Sequence, residues 1–252
     1  MKNKNRLEEK FVTKEGYKIE ITEKSLNSLY TIRFLIDGYI VKNLLYNKIK
    51  TGTIPYPKHK TVFGIGYIGV GKYTTSLNNK PNKVYQTWYS IMRRSYSKIF
   101  KEKNKSYHNV IVCDEWHNFQ NFAQWFEENY NTSYMQNWEL DKDILVKGNK
   151  VYSPSTCCFV PQEINKVFTL RQSCRGKLPL GVRKQSNGKF KAVISLNNTS
   201  KSLGVFNTEL EAFLKYKKTK ENYIIFLRDK YKNFLNKEVF NALINYKIEI
   251  ND

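Results

Sequence analysis

Long apolar runs are missing from this sequence, and no stretch approaches the ~20 residues that a membrane-spanning helix requires. The opening MKNKNRLEEK also lacks the apolar centre of a secretory leader, so a soluble, cytoplasmic protein is expected. Cysteine is scarce. Cys113, Cys157, Cys158 and Cys174 form no CxxC pair, and His59, His108 and His117 are the only histidines. That argues against a structural zinc site, and reduced thiols are the default in a cytosolic chain. Acid is in short supply too: 22 Asp and Glu face 43 Lys and Arg, a formal net charge of +21, which points to a polyanionic partner. What is present suffices for folding. Hydrophobic residues make up 40% of the chain and aromatics 15%, enough for real cores and too much for a disordered chain. The 252 residues can hold one large domain or two to three small ones.

The first sixty residues read as β-rich. GYKIEIT and YTIRFLI alternate or carry β-branched residues between polar turns, with Asp37-Gly38 and Gly52 as turn points. Lys42, Lys48, Lys50, Lys58 and Lys60 follow, so this is an accessory DNA-contacting module or a structural cap with solvated lysines. Next, GIGYIGVGKYTT carries most of a nucleotide-binding loop in Gly66-x-x-x-x-Gly71-Lys72. Tyr73 stands where a hydroxyl should hold Mg²⁺, and no helix pattern follows, so no nucleotide cofactor is expected. Its glycines suit close backbone packing, or passage near a phosphate, in an extended linker.

Val84 to Phe100 places Val84, Trp88, Met92, Tyr96 and Ile99 at helical spacing, with Arg93 and Arg94 beside that face and within reach of phosphates. Asn118 to Tyr130 sets Phe119, Phe122 and Phe126 on one stripe, a core helix. Between Asp114 and Asp143 the charge reverses, with seven acids (Asp114, Glu115, Glu127, Glu128, Glu139, Asp141, Asp143) against Lys142 alone. A negative island in a basic chain suits a hard cation with oxygen ligands, Mg²⁺ or Mn²⁺. LDKDIL and KVY read as two strands around a Gly148-Asn149 turn, then an irregular loop, then a helix from about Pro161. In such a strand Asp141 and Asp143 share a face, as metal ligands or as solvated hairpin carboxylates.

Residues 84–168 resemble the HNH endonuclease-like proteins of bacteriophages, through VYQTWYSIMRRSY, VIVCDEWHNFQNFAQWFEENY, LDKDIL, GNKVYSP, CCFVP and the closing IN. RF-x-x-x-GY and I-x-x-G over Arg33–Gly52 are similar to a segment that often leads such proteins. The resemblance implies a ββα-metal unit that binds one divalent ion and cuts a phosphodiester in the host bacterial cytoplasm. It puts Asp141 or Asp143 in the strand ligand position and Asn165 in the helix one. The sequence departs from the family at the first strand, which reads Asp-Lys-Asp where a histidine general base is usual. That leaves His117, Lys142 or the metal itself to activate water.

Beyond residue 176, LPLGVRKQSNGKFKAVISLNNTSKSLGVF reads as three strands (Gly181–Lys184, Lys189–Leu196, Lys201–Phe206), and a helix capped by Asn207 or Thr208 follows. GVR, NGKF-x-A-x-I, LG-x-F and T-x-x-EA are similar to the AP2 DNA-binding domain, whose three-stranded sheet enters the major groove. Residues 177–232 carry 13 Lys and Arg against 4 Asp and Glu. Arg183, Lys189 and Lys191 are the first candidates for DNA contact, with Lys184 and Lys201 next.

The expected fold is therefore α+β. A small β-rich N-terminal module covers 1–62 and a Gly-rich linker 63–83. An HNH-like ββα-metal domain with helices spans 84–170, and a short linker 171–176. An AP2-like three-stranded sheet plus helix occupies 177–235, and a C-terminal helix and tail 236–252. The expected function is sequence-specific binding of double-stranded DNA by a homing-endonuclease-like phage protein. The alternative is a catalytically inactive regulator, or a phage factor acting against host processes with a host protein partner. Charge alone would also allow RNA.

Overall fold

The computed structural model describes residues 6–168, 178–196 and 199–250. The fold is mixed α+β with several small sheets. The chain separates into two compact units, one of residues 1–74 with 115–121 and one of residues 75–114 with 122–252.

The first unit is built on an antiparallel meander, β1 (Lys10–Val12), β2 (Lys18–Lys24), β3 (Tyr30–Phe34) and β4 (Ile40–Leu44), paired in sequence order. Alternation explains it. Ile19, Ile21, Ile32 and Phe34 are fully buried on one face, while Glu20 and Arg33 meet on the other at 2.7 Å. β3 stops at Phe34 because the Asp37-Gly38 turn folds back on it, Gly38 N–H donating to the Phe34 carbonyl at 2.9 Å. A short helix, α1 (Tyr46–Lys50), adds Ile49 to the core beside Ile54 and Tyr56.

The glycine-rich run is packed rather than extended. A Cβ at Gly69 would lie 2.1 Å from Asn118 Oδ1, and one at Gly71 would lie 2.3 Å from Gln120 Oε1. The buried Gln120 amide donates to the Ile68 and Tyr73 carbonyls and accepts from Tyr73 N–H. Close backbone approach to two carboxamides accounts for Gly69 and Gly71.

The second unit begins with a hairpin of β5 (Ser76–Leu77) and β6 (Lys80–Pro81) and the Asn82-capped helix α2 (Lys83–Tyr96). The helical run expected to reach Phe100 breaks at Ser97, which ends α2 and caps α3 (Lys98–Lys103) by accepting from Phe100 N–H. Trp88, Ile91 and Met92 are buried, and Ile99, past the break, is exposed. β7 (Ile111–Val112) follows, then α4 (Phe119–Asn129), whose residues from Phe122 onward belong to this unit.

The expected hairpin of LDKDIL with KVY does not form. β8 (Trp138–Asp141) ends at Asp141 and does not pair with KVY. β9 (Val151–Tyr152) instead runs parallel to β7, and the antiparallel partner of β8 is β10 (Cys158–Pro161), which falls in the segment expected to be an irregular loop. The reason is burial: Cys158, Phe159, Val160 and Pro161 are all buried, and a short continuous apolar run is how a strand covered on both faces reads. Phe159 packs on Trp125, Phe126 and Tyr130 of the α4 segment. On the opposite face Cys158 and Val160 join the core formed with α5 (Gln162–Phe168).

After residue 177, β11 (Val182–Lys184), β12 (Phe190–Leu196) and β13 (Thr199–Phe206) form an antiparallel sheet in that order, close to the expected strands. Thr208 and Glu211 make a reciprocal capping box at the start of α6 (Glu209–Tyr231). This long helix serves two cores. Ala212, Phe213 and Tyr216 cover the sheet, while Ile224 and Leu227 join Val160 and Ile164. Asn236 caps α7 (Lys237–Asn245), which adds Val239 and Leu243 to the second of these cores.

Candidate functional site

The residues of the expected chemistry fall mainly in two places, the β8–β10–α5 layer and the β11–β13 sheet.

Side-chain alternation sends Glu139 and Asp141 to one face of β8, the face that carries Cys158 and Val160 on β10 and looks toward α5. Glu139 is held there by two amides of that helix, Gln162 Nε2 donating to Oε1 at 3.0 Å and Asn165 Nδ2 donating to Oε2. Asp141 does something different. Its Oδ1 accepts from the backbone N–H of Asp143 at 2.7 Å and of Ile144 at 2.8 Å, a tight turn that ends the strand. Among the described residues no further hydrogen bond reaches this carboxylate.

That turn separates the two aspartates that were expected on one strand face. Beyond Asp141 the chain bends, so Lys142 points inward and Asp143 outward. Lys142 is only 6% exposed, and its Nζ donates to both Asp143 oxygens at 2.8 and 2.7 Å and to the Asn149 carbonyl at 2.7 Å. Asn149 returns a bond to the Lys142 carbonyl, closing the loop. An ammonium surrounded by three acceptors is poorly placed to take a proton from water. Its geometry is that of a structural clasp.

Burial pushes the Asp141 carboxyl above its usual range; the two backbone N–H bonds and Lys142 oppose this, and the Asp143 charge adds to it. A carboxyl whose folded pKa exceeds its unfolded one costs stability once both states are ionised, and the cost disappears as pH falls below the unfolded value. Asp141→Asn keeps an oxygen acceptor for the two N–H groups and removes the charge. We expect it to equal or exceed the wild type in urea midpoint at pH 7, with the difference closing toward pH ~4. Asp141→Ala also loses the acceptor and should be less stable than Asp141→Asn by about 1 kcal/mol.

The paired arginines separate. Arg93 is exposed, with its guanidinium carbon 5.2 Å from the centre of the Phe100 ring. Arg94 is half-buried and hydrogen-bonds Tyr152. Burial opposes its charge, but Tyr152, Tyr107 and the Glu139 carboxylate more than offset this and hold it firmly protonated. Glu139 thus lies between an arginine and two amides, a role that its place in the acidic island does not reveal. The signal for it is the alternation in Trp138-Glu139-Leu140-Asp141, which aligns it with Asp141. Asp114, Glu115, Glu127 and Glu128 are exposed, so the island is not one cluster. His117 belongs to the first unit, its carbonyl accepting from Tyr67 N–H. Among the described residues no group of three or more His, Cys, Asp or Glu is arranged to hold a metal ion. Burial raises the thiol of Cys157 to about 12 and pushes that of Cys158 up as well, so both stay protonated at neutral pH. Cys174 lies outside the described residues.

On the sheet, register sorts the basic candidates. Arg183 stands directly opposite Lys191, which stands opposite Val205, and none of the three shares the parity of the buried Val182, Ala192 and Ile194. Arg183 and Lys191 are therefore neighbours on the face turned away from α6. Ser195 and Ser200 pair farther along that face, beyond the bulge between Ala192 and Val193. Lys184 pairs with Phe190 and lies over its ring at 5.9 Å, and Lys201 pairs with buried Ile194, so both have the parity of the helix-covered face. Lys189 is in the turn that Asn187 closes by accepting from its N–H.

No protein-family model matches the chain, and no curated protein or solved structure shows significant similarity to it.

Proposed function

We propose that this chain binds double-stranded DNA, with the outer face of β11–β13 against the duplex. The observation that carries the reading is the Arg183–Lys191 cross-strand pair on a sheet whose other face is packed against α6. A guanidinium fork can address guanine or a phosphate with two bonds, and Lys191 adds charge beside it. The formal charge of +21 supplies the sequence-independent attraction. In binding titrations at about 100 mM salt, Arg183→Ala/Lys191→Ala should lose affinity on the order of tenfold or more, and its salt dependence should flatten. Lys184→Ala/Lys201→Ala, altering the other parity, should lose clearly less. Equal losses would remove the sheet-face reading and leave only diffuse charge.

The β8–β10–α5 layer suits a divalent cation in part. Asp141 fits, since the loop N–H groups orient one oxygen while the other makes no hydrogen bond among the described residues. Asn165 fits as an amide steered by Glu139, an outer partner of the kind that fixes ligands. Asp143 does not fit, because both oxygens are engaged by Lys142. Mg²⁺ or Mn²⁺ on Asp141 and Asn165, completed by water, would polarise a phosphate and stabilise the leaving oxygen. We propose this homing-endonuclease-like, HNH-type activity as the catalytic arm of the reading. A non-cleaving DNA-binding regulator is favoured by one observation, the commitment of Lys142 to a clasp, which leaves the strand without a base. Nicking of supercoiled plasmid in Mg²⁺ or Mn²⁺, abolished in Asp141→Ala and retained in Asp143→Ala, would establish the enzyme. No metal-dependent nicking by a wild type that still binds duplex DNA would remove the enzyme and leave the regulator.

A further inference from the structure

A concave site of about 470 Å³ opens beside the candidate centre, between the Ser133–Trp138 loop, the Pro161–Glu163 corner and Tyr231 at the end of α6. Its volume lies within the roughly 300–1,000 Å³ range of small-ligand sites. Tyr134, Trp138 and Tyr231 give an aromatic share to a lining that is mostly polar. Tyr134 is 41% exposed, packs edge-on to Trp138 at 5.8 Å, and lies 5.3 Å from Phe234, itself exposed. Its polar rim is made of carboxamides. Gln136 and Asn137 are exposed with no side-chain hydrogen bond among the described residues, and Gln162 reaches from the same rim to Glu139. The one carboxylate, Glu163, is already engaged by Lys230 at 2.5 Å, Tyr231 at 2.9 Å and Tyr223 at 3.2 Å. The site therefore offers stacking surface and neutral donors and acceptors, with its single negative charge compensated.

We propose that this cavity receives one unstacked nucleobase of a DNA strand, resting on Tyr134 and read at its edge by Asn137 and Gln136. A planar uncharged heterocycle with alternating donors and acceptors is the ligand that aromatic walls and carboxamides recognise together. A phosphate or sulfate would find no cation among the lining residues, with Lys230 engaged by Glu163, and an aliphatic chain would strand the amides. The assignment rests on the DNA-binding reading and adds to it a preference for unpaired bases. Gln162 joins the two sites physically, touching Glu139 on one side and the cavity on the other, so the base received would belong to a nucleotide next to the candidate metal centre.

Two measurements separate the cavity from the rest. In the first, 2-aminopurine riboside is titrated alone at millimolar concentration. The protein should quench it, and Tyr134→Ala should abolish the quenching. In the second, a duplex with one unpaired 2-aminopurine should bind roughly tenfold more tightly than its fully paired counterpart. Tyr134→Ala and Asn137→Ala should each erase that preference while leaving affinity for the paired duplex unchanged. Both positions are exposed, and Asn137→Ala serves where the aromatic change perturbs the loop. Quenching with no duplex binding would uphold the cavity and remove the DNA reading. Paired-duplex binding with neither quenching nor preference, or a preference that survives both substitutions, would overturn the cavity and spare the DNA reading.

Discussion

Replacing Gly181 by alanine is expected to destabilise the C-terminal sheet and helix by about 3 kcal/mol or more, which few surface changes approach. Two costs add. Gly181 has φ +73°, a left-handed conformation that a side chain disfavours by roughly 1–2 kcal/mol. A Cβ there would also stand 2.0 Å from the Tyr216 ring, which is 5% exposed and packed among Leu180, Val182, Ala192 and Phe213. That ring cannot swing into solvent as an exposed tip could, so the core must open, at about 1–3 kcal/mol for overpacking. The Gly181 carbonyl also accepts from Val193 N–H at 2.7 Å, so a shift of this turn disturbs the pairing of β12. Denaturant unfolding and proteolysis of the 178–231 segment would check it. An alanine variant within about 0.5 kcal/mol of wild type would show that the turn adapts.

Lys142→Met should cost about 2–3 kcal/mol, and more of the damage should be local. Breaking a buried ion pair from one side commonly costs 3–5 kcal/mol, roughly, because a charge is left without a partner. Here the orphaned carboxylate, Asp143, is 44% exposed and can turn to water, which lowers the figure. The Asn149 carbonyl cannot recover as easily, and with it goes the closure of the 142–149 loop. The expected readout is a lower urea midpoint together with faster protease cleavage between Lys142 and Lys150. If Lys142 were instead the proton acceptor in catalysis, the variant would keep its stability and lose only activity.

Local grammar made much of the fold legible. The alternation of Ile19, Ile21, Ile32 and Phe34 predicts a sheet with one buried face, and that sheet is present. Asn187-Gly188 sets the β11–β12 turn, and Thr208 with Glu211 marks the start of α6, each through contacts within a few residues. The β8–β10 pairing was not legible, because it joins Asp141 to Cys158 across a loop that the Asp-Lys-Asp pattern disguises as a strand. One hydrogen-bonding choice, Asp141 Oδ1 taking two N–H groups, bends the chain, buries Lys142 and removes Asp143 from the face it was expected to share. The role of Glu139 was hidden for a related reason. Its partners, Arg94, Gln162 and Asn165, are supplied by two helices far away in sequence. Parity did the reverse for the five basic candidates, placing Arg183 and Lys191 as an outward pair, Lys184 and Lys201 on the helix side, and Lys189, ranked with the first two, in a turn.

The central claim is that a basic protein presents Arg183 and Lys191 on an open sheet face to duplex DNA. It is tested most directly by measuring duplex affinity across a salt series for the wild type and for Arg183→Ala/Lys191→Ala. The account predicts tight binding at low salt and a linear fall of log K with log salt. It predicts a slope that is shallower in the variant by about 1–2, one unit for each phosphate contact removed. No binding of the wild type to duplex DNA at low ionic strength, or identical lines for the two proteins, would contradict it.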